Sequence, residues 1–242
     1  MSEPHVTLIT GASKGIGRAT AERLAKAGHL VLGLARSAPD GTFPGEYVSV
    51  DLADTKAAER VLDKLAAKHR IDGLVNNVGI VLPSPVGQID LADLRTVFDL
   101  NCRTAVQCMQ AVLPSMRAKG YGRVVNVSSL TIVGVPGRSC YAAAKAALVS
   151  FTRTWALELA GAGVTVNAVA PGPTDTEIFR HNCPVGSEMY ERYKAMVPMR
   201  RIADPDEIAA AIGFLMSEEA SFISGQTLFV DGGASLGGLA SV

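Results

Sequence analysis

The chain has 242 residues, with 23 basic and 23 acidic side chains, 48% hydrophobic residues and 24 glycines. Balanced charge leaves no basic field to draw nucleic acid or an anionic membrane surface. The hydrophobic share is that of a well-buried globule, and no apolar run approaches the ~20 residues of a membrane span.

Val6 to Thr10 (VTLIT) is a short β-branched run and reads as a buried strand. Gly11-Ala-Ser-Lys-Gly15-Ile-Gly17 follows, and then an amphipathic helix to about Ala27, with Gly28 as its C-cap. A glycine-rich turn between first strand and first helix lets backbone approach an anion, and the helix N-terminus offers N–H groups and a positive dipole end. The spacing is G-x-x-x-G-x-G, where the usual dinucleotide fingerprint is G-x-G-x-x-G; we expect it to bind phosphate. Leu30 to Leu34 is a second strand. In an open parallel sheet, an acidic residue at the end of that strand takes the ribose 2′-hydroxyl of NAD, whereas an arginine takes the 2′-phosphate of NADP. Here the strand runs into Ala35-Arg36-Ser37 with no carboxylate before Asp40, and Lys14 adds positive charge. The expectation is NADP(H) over NAD(H).

Tyr47 to Val50 is a third strand, ending in Asp51-Leu52; Asp51 either bonds an adenine amino group or caps the following turn. An amphipathic helix spans Thr55 to His69, and a fourth strand, Ile71 to Asn76, ends in Asn76-Asn77-Val78-Gly79. Those two amides either tie backbone together beside a ligand crevice or are ordinary turn residues. A long helix is expected from Leu91 to Ala118, interrupted near Asn101 and Pro114. A fifth strand covers Arg123 to Val127, a helix carrying Tyr141 reaches about Ala160, and a sixth strand covers Val164 to Val169 before Pro171-Gly172-Pro173-Thr174. Residues 176–201 read as an irregular lid or substrate loop, with a short helix covering the sheet end as the other reading. Asp204-Pro205-Asp206-Glu207 starts a helix that reaches about Met216, and Thr227 to Val230 is the last strand.

Strands alternate with helices throughout, with no linker and no internal repeat. This predicts one α/β domain over 1–242, a doubly wound parallel sheet with ligands at the carboxyl ends of its strands. Gly11, Asn76, Ser128 and Pro171 all sit at such ends. The four cysteines have no C-x-x-C or zinc spacing and the four histidines form no ligand cluster. Reduced thiols, no metal, no signal peptide and a cytoplasmic location are expected.

The stretch from Ser128 to Lys145 carries the chemistry. Tyr141 and Lys145 stand four apart on one helix face, with Cβ atoms roughly 5–6 Å apart. An ordinary tyrosine has a pKa of about 10, so proton exchange near neutrality needs about 4 kcal/mol of help, and a fixed ammonium is one source of it.

Together, Thr10-Gly11-x-x-x-Gly15-x-Gly17, Asn76-Asn77-Val78-Gly79, Asn101, Ser128, Tyr141-x-x-x-Lys145 and Pro171-Gly172 resemble the short-chain dehydrogenase/reductase family in its single-domain form. Ser128 precedes Tyr141 by thirteen residues, the family's usual interval; Val78 departs from the family's common alanine. The resemblance implies a seven-stranded Rossmann fold of order 3-2-1-4-5-6-7 with helices on both faces. It also implies a ketone/alcohol oxidoreductase. Tyr141 would be its proton donor and acceptor, and Ser128 would hold the substrate oxygen. Lys145 would lower the tyrosine pKa and bind the nicotinamide ribose, and Asn101 would hold a water linking Lys145 to solvent. Cofactor contacts are implied for Gly11, Ser13, Lys14, Gly15, Ile16, Gly17, Arg36, Asp51, Leu52, Asn77, Gly79, Tyr141, Lys145, Pro171, Gly172, Thr174 and Thr176.

The C-terminal third (Val197 to Arg201, Asp204 to Ile208, Ser224 to Gly233) looks most like bacterial 3-oxoacyl-[acyl-carrier-protein] reductases, while the loop before Tyr141 does not match them closely. A homotetramer is implied, with the helices at Leu91–Ala118 and Ser139–Ala160 pairing across one interface and the C-terminal segment across another. Three other readings compete. An enoyl-thioester reductase of the same fold would space the tyrosine and lysine more widely. A non-catalytic NADP(H)-binding regulator would lose one of Ser128, Tyr141 or Lys145. An NAD(H)-dependent dehydrogenase of another small alcohol would carry an acidic residue near Arg36.

Overall fold

A computed structural model describes residues 4–39 and 41–236; Asp40 lies outside the described residues. Its seven strands are β1 (Val6–Thr10), β2 (Leu30–Ala35), β3 (Glu46–Ser49), β4 (Gly73–Asn76), β5 (Gly122–Val127), β6 (Val164–Pro171) and β7 (Thr227–Val230). They form one sheet in the order β3-β2-β1-β4-β5-β6-β7, and every pairing is parallel.

Parallel neighbours need long crossovers, and the helices supply them. They are α1 (Gly15–Lys26), α2 (Thr55–Lys68), α3 (Leu91–Phe98), α4 (Thr104–Lys119), α5 (Ser139–Leu159), α6 (Glu177–Asn182), α7 (Glu188–Met196) and α8 (Pro205–Leu215). Side chains of a strand alternate between faces, and the central strands are apolar on both. Leu8, Leu74 and Val124 pack with Leu62 of α2, Met109 and Val112 of α4 and Leu159 of α5. Their neighbours Ile9, Val75 and Val125 pack on the other face with Leu24 of α1 and with Ile208 and Ile212 of α8. Each fully buried leucine or isoleucine contributes about 1.5–3 kcal/mol relative to exposure, so the two layers together hold the strand ends in place.

Local signals explain the helix starts. Asp54 accepts hydrogen bonds from the N–H groups of Lys56 and Ala57, and Asp90 from that of Ala92. Asp204 and Glu207 close a capping box with Pro205 in the first turn. Beside it, Arg201 and the Asp204 N–H hold the Glu207 carboxyl down at about 2. At the amino ends of the strands, Asp72 is 1% exposed; it accepts from the Val6 N–H at 2.9 Å and from His5 at 3.2 Å, and pairs with Lys119.

Of the two interruptions expected in the helix over Leu91–Ala118, the one near Asn101 is present as a π-helical turn at Asp99–Arg103, whereas Pro114 sits inside α4 without ending it. Residues 176–201 are not an irregular loop. They hold α6 and α7, started by the side chains of Thr176 and Ser187, which accept from the N–H groups of Phe179 and Tyr190. No helix among the described residues is long and apolar enough to cross a membrane.

Candidate active site

The carboxyl ends of β1, β4, β5 and β6 meet at one rim, and the expected residues divide into two groups there. The first group is the glycine turn. Lys14, the N-cap of α1, makes no side-chain capping bond, and the first turn of α1 carries no acidic residue. The leading N–H groups of a twelve-residue helix are therefore left for an anion. Gly17 is required by close approach: a Cβ there would lie 2.2 Å from the carbonyl oxygen of Gly11. Asn77 binds the turn from the next strand, its amide donating to the carbonyls of Thr10 at 2.9 Å and Gly11 at 3.2 Å. The Thr10 hydroxyl accepts in return from the N–H groups of Asn77 and Val78, both at 3.0 Å. Asn77 thus ties backbone together, as one of the two sequence readings had it. Asn76 instead joins a side-chain chain inside the sheet, donating to the Asn126 side chain, which donates to the Thr152 hydroxyl of α5.

The remaining cofactor candidates line this side. Arg36 is exposed at the end of β2 and pairs with no carboxylate among the described residues. Ser13 lies beside the Tyr47 phenol, and Ile16 packs on the α1 layer. Asp51 accepts from the Ala53 N–H at 3.0 Å and so caps its turn, while the carbonyl of buried Leu52 accepts from Arg103 at 2.8 Å. Gly15 faces Thr176, whose hydroxyl caps α6. Pro171 ends β6, Gly172 packs against the backbone of Asp231, and the Thr174 hydroxyl donates to the Gly172 carbonyl at 2.9 Å. Lys14 is held by Glu177 of the lid at 2.7 Å, a pair exposed on both sides. An entering phosphate would compete with that carboxylate for the ammonium.

The second group surrounds Tyr141. Lys145 is buried, and its Nζ lies 5.7 Å from the centre of the Tyr141 ring. It donates to the carbonyl of Val127 at 2.8 Å. Burial lowers the Lys145 pKa to about 8. Burial likewise raises the Tyr141 phenol; the Ser129 hydroxyl and the Arg138 guanidinium act against that rise. The sequence expectation gave the lowering to Lys145. The lysine Nζ lies over the Tyr141 ring while its hydrogen bond goes to the Val127 carbonyl, and Arg138 is a second cation on the phenol's side.

Ser128 is 2% exposed and donates to the backbone carbonyl of Lys145 at 2.9 Å. Its hydroxyl braces β5 against α5, and the hydroxyl beside the phenol belongs to Ser129. The sequence interval of thirteen residues singled out Ser128. The side-chain direction could not be read from it, because a 3₁₀ turn at Leu130–Val133 intervenes before α5.

Asn101 sits in the π-helical turn, 1% exposed, so it is a core residue and not a surface one. Its amide nitrogen donates to the carbonyls of Ile80 at 3.0 Å and Val97 at 2.8 Å, and its buried Oδ1 has no partner. Leaving such an oxygen unmatched costs about 1–3 kcal/mol. That oxygen packs directly on Gly79: a Cβ there would lie 2.4 Å from Oδ1 and 3.2 Å from the Lys145 Nζ, so only glycine lets both side chains come this close to the strand end. The glycine cradle and the uncapped α1 fit a dinucleotide lying along the rim.

The lid closes the other side. Phe179 of α6 packs against Tyr190 and Tyr193 of α7, and Arg138 donates to the Tyr193 hydroxyl at 3.4 Å. Neither Arg138 nor the Lys14–Glu177 pair stood out in the sequence, because both depend on a lid placed across the chain. A separate groove lined by Pro173, Val197, Met199, Ala203 and Phe229 contains none of these groups.

Comparison with known proteins agrees with this geometry. A family model described as Enoyl-(Acyl carrier protein) reductase matches residues 11–235. The 3-oxoacyl-[acyl-carrier-protein] reductase FabG of Vibrio cholerae is 37% identical over 96% of this chain and 97% of its own. The cis-4-hydroxycyclohexanecarboxylate dehydrogenase of Sinomonas cyclohexanicum is 38% identical over 95% and 96%. A solved structure from Beutenbergia cavernae, provisionally assigned as an NAD(P) dependent gluconate 5-dehydrogenase with bound NADP at low occupancy, is 38% identical. It superposes with a TM-score of 0.88 over 95% of this chain and 96% of that one. With its glycine turn, its Tyr141-x-x-x-Lys145 helix and these relatives, the chain belongs to the short-chain dehydrogenase/reductase family of oxidoreductases.

Proposed function

We propose that the protein is an NADP(H)-dependent oxidoreductase that interconverts a ketone and a secondary alcohol, with Tyr141 as general acid and base. The observation that carries this reading is the gathering of Tyr141, Lys145, Ser129 and Asn101 at the carboxyl end of the sheet, beside the uncapped glycine turn. Bound NADP(H) supplies or accepts the hydride. Tyr141 gives its phenolic proton to the substrate oxygen in reduction and takes it back in oxidation. Ser129 holds that oxygen, while Ser128 fixes the backbone beneath it. Lys145 turns from the Val127 carbonyl toward the ribose and the phenolate, and the unmatched Oδ1 of Asn101 takes a water that returns protons from solvent. Arg36, exposed and without a carboxylate among the described residues, favours the 2′-phosphate of NADP. Titrating NADPH and NADH against the wild type should give at least tenfold tighter NADPH, a preference lost in Arg36→Leu; tighter NADH would reject the assignment.

The relatives bracket the substrate, from a 3-oxoacyl thioester to a ring alcohol bearing a carboxylate. Acetoacetyl-CoA is the first thioester to offer. Crotonyl-CoA beside it separates enoyl reduction, the activity named by the matching family model, because only that chemistry consumes the alkene. We also propose a homotetramer. Leu157 on α5, together with Phe222 and Leu228 in the C-terminal segment, is exposed at 84%, 103% and 42%, which leaves apolar surface on both expected interfaces.

A further inference from the structure

We infer that Arg138 selects the substrate: the site takes ketones and alcohols that carry a carboxylate close to the reacting carbon, and Arg138 receives that carboxylate. The inference rests on the oxidoreductase reading above and names the substrate class of the same site.

Position comes first. Arg138 immediately precedes α5 and stands one turn ahead of Tyr141. The guanidinium reaches the lid, donating to the Tyr193 hydroxyl of α7 at 3.4 Å. It therefore runs from the start of the Tyr141 helix to the lid, the two elements that border the proposed substrate site. Its field is felt at the Tyr141 phenol and at the buried thiol of Cys183 behind α6.

The second observation is what does not face it. Arg138 is half-buried and forms no ion pair among the described residues. The lid is rich in carboxylates, yet each is engaged elsewhere: Asp175 with Arg180, Glu177 with Lys14, Glu188 with Arg192 and Glu191 with Lys194. Its one side-chain hydrogen bond among the described residues goes to the neutral donor–acceptor hydroxyl of Tyr193, and the Tyr141 phenol and the Cys183 thiol, both pushed up by burial, lie within its field. A partly desolvated guanidinium without a counter-ion is costly, and one matched by a carboxylate in two parallel N–H···O bonds is favourable. The arrangement supplies the cation and withholds the protein's own anions from it. A carboxylate on the substrate completes it.

The test compares acids with their methyl esters. Acetoacetate, levulinate and 4-oxocyclohexanecarboxylate, each beside its ester, place the carboxylate at increasing distance from the ketone. NADPH and NADH consumption is followed for wild type, Arg138→Gln and Arg138→Lys. The side chain makes no capping bond to α5, so these variants leave the helix start intact. At least one acid should exceed its ester by tenfold or more in kcat/KM. Arg138→Gln should collapse that ratio to within threefold of one, with the loss mainly in KM, and Arg138→Lys should keep part of it. Ester and acid turned over equally by the wild type, or a ratio unchanged in Arg138→Gln, overturns the inference while leaving the oxidoreductase reading standing. The thermal shift of each protein with acid and with ester is read in parallel. No turnover with any ketone but an acid-selective shift lost in Arg138→Gln overturns the reaction and keeps the carboxylate site. Neither turnover nor a selective shift overturns both.

Discussion

At the residue scale, the two groups to which the proposed mechanism gives the chemistry are both moved toward neutrality by burial. The Tyr141 phenol is raised, which keeps it a proton donor at neutral pH, and Lys145 is brought down to about 8. The second shift has a consequence for stability. Lys145 is a base whose folded pKa lies below its unfolded value of 10.5. Below about pH 8 both states hold the proton, and the folded protein carries the full cost of a buried ammonium. Between about 8 and 10.5 the unfolded chain binds more protons than the native one, so stability rises with pH and the cost is gone above that window. The shift corresponds to roughly 3 kcal/mol. Lys145→Met lacks this dependence. The stability of wild type minus that of Lys145→Met, from urea unfolding, should therefore climb between pH 7.5 and 10 by a sizeable part of that amount. A difference that stays flat would show that the lysine is not desolvated as the structure has it. Tyr141 and Lys145 were legible in the sequence because their relation is local, one turn of one helix. Ser129 and Arg138 were not: which hydroxyl lies beside the phenol is set by a 3₁₀ turn, and what Arg138 reaches is set by a lid thirty or more residues further along the chain.

At the scale of elements, all seven strands were readable. Central parallel strands are apolar on both faces, and their runs are unmistakable between glycine and proline punctuation. Two elements were readable only in part. The sequence places an interruption near Asn101, but its form, a π-helical turn with an extra residue in a continuous helical pattern, is invisible to periodicity. It is stabilised at Asn101, whose amide returns to the Val97 carbonyl at 2.8 Å. The lid helices have six and nine residues and are started by a threonine and a serine, too short for a period to show. The exposed faces of the elements bear on assembly. Leu157 on α5 and Phe222 before β7 point outward with no cover in the single chain, and the proposed tetramer would cover both. Light scattering should give a mass of four copies of the 25.3 kDa chain. Leu157→Glu and Phe222→Glu should each lower it to a dimer; a monomeric wild type would contradict the proposed tetramer.

At the scale of the whole molecule, the sheet order brings together groups far apart in sequence. Gly11, Gly79, Asn101, Ser129 and Tyr141 reach one rim because β1, β4 and β5 are adjacent in the sheet. The lid then lies over that rim, joined to the glycine turn through Lys14 and to the catalytic helix through Arg138. Cofactor side, catalytic side and lid are thus in direct contact, and the reaction proposed for them depends on one proton held at one oxygen. The most direct test is kcat/KM for NADPH-dependent ketone reduction by wild type and Tyr141→Phe, on the best substrate of the acid and thioester panel. Phenylalanine keeps the ring and its packing and removes only the proton carrier. A general acid contributes about 10²–10⁴-fold, and a loss in that range with NADPH affinity retained is the predicted result. Turnover within threefold of wild type would contradict the assignment of Tyr141 and, with it, the mechanism.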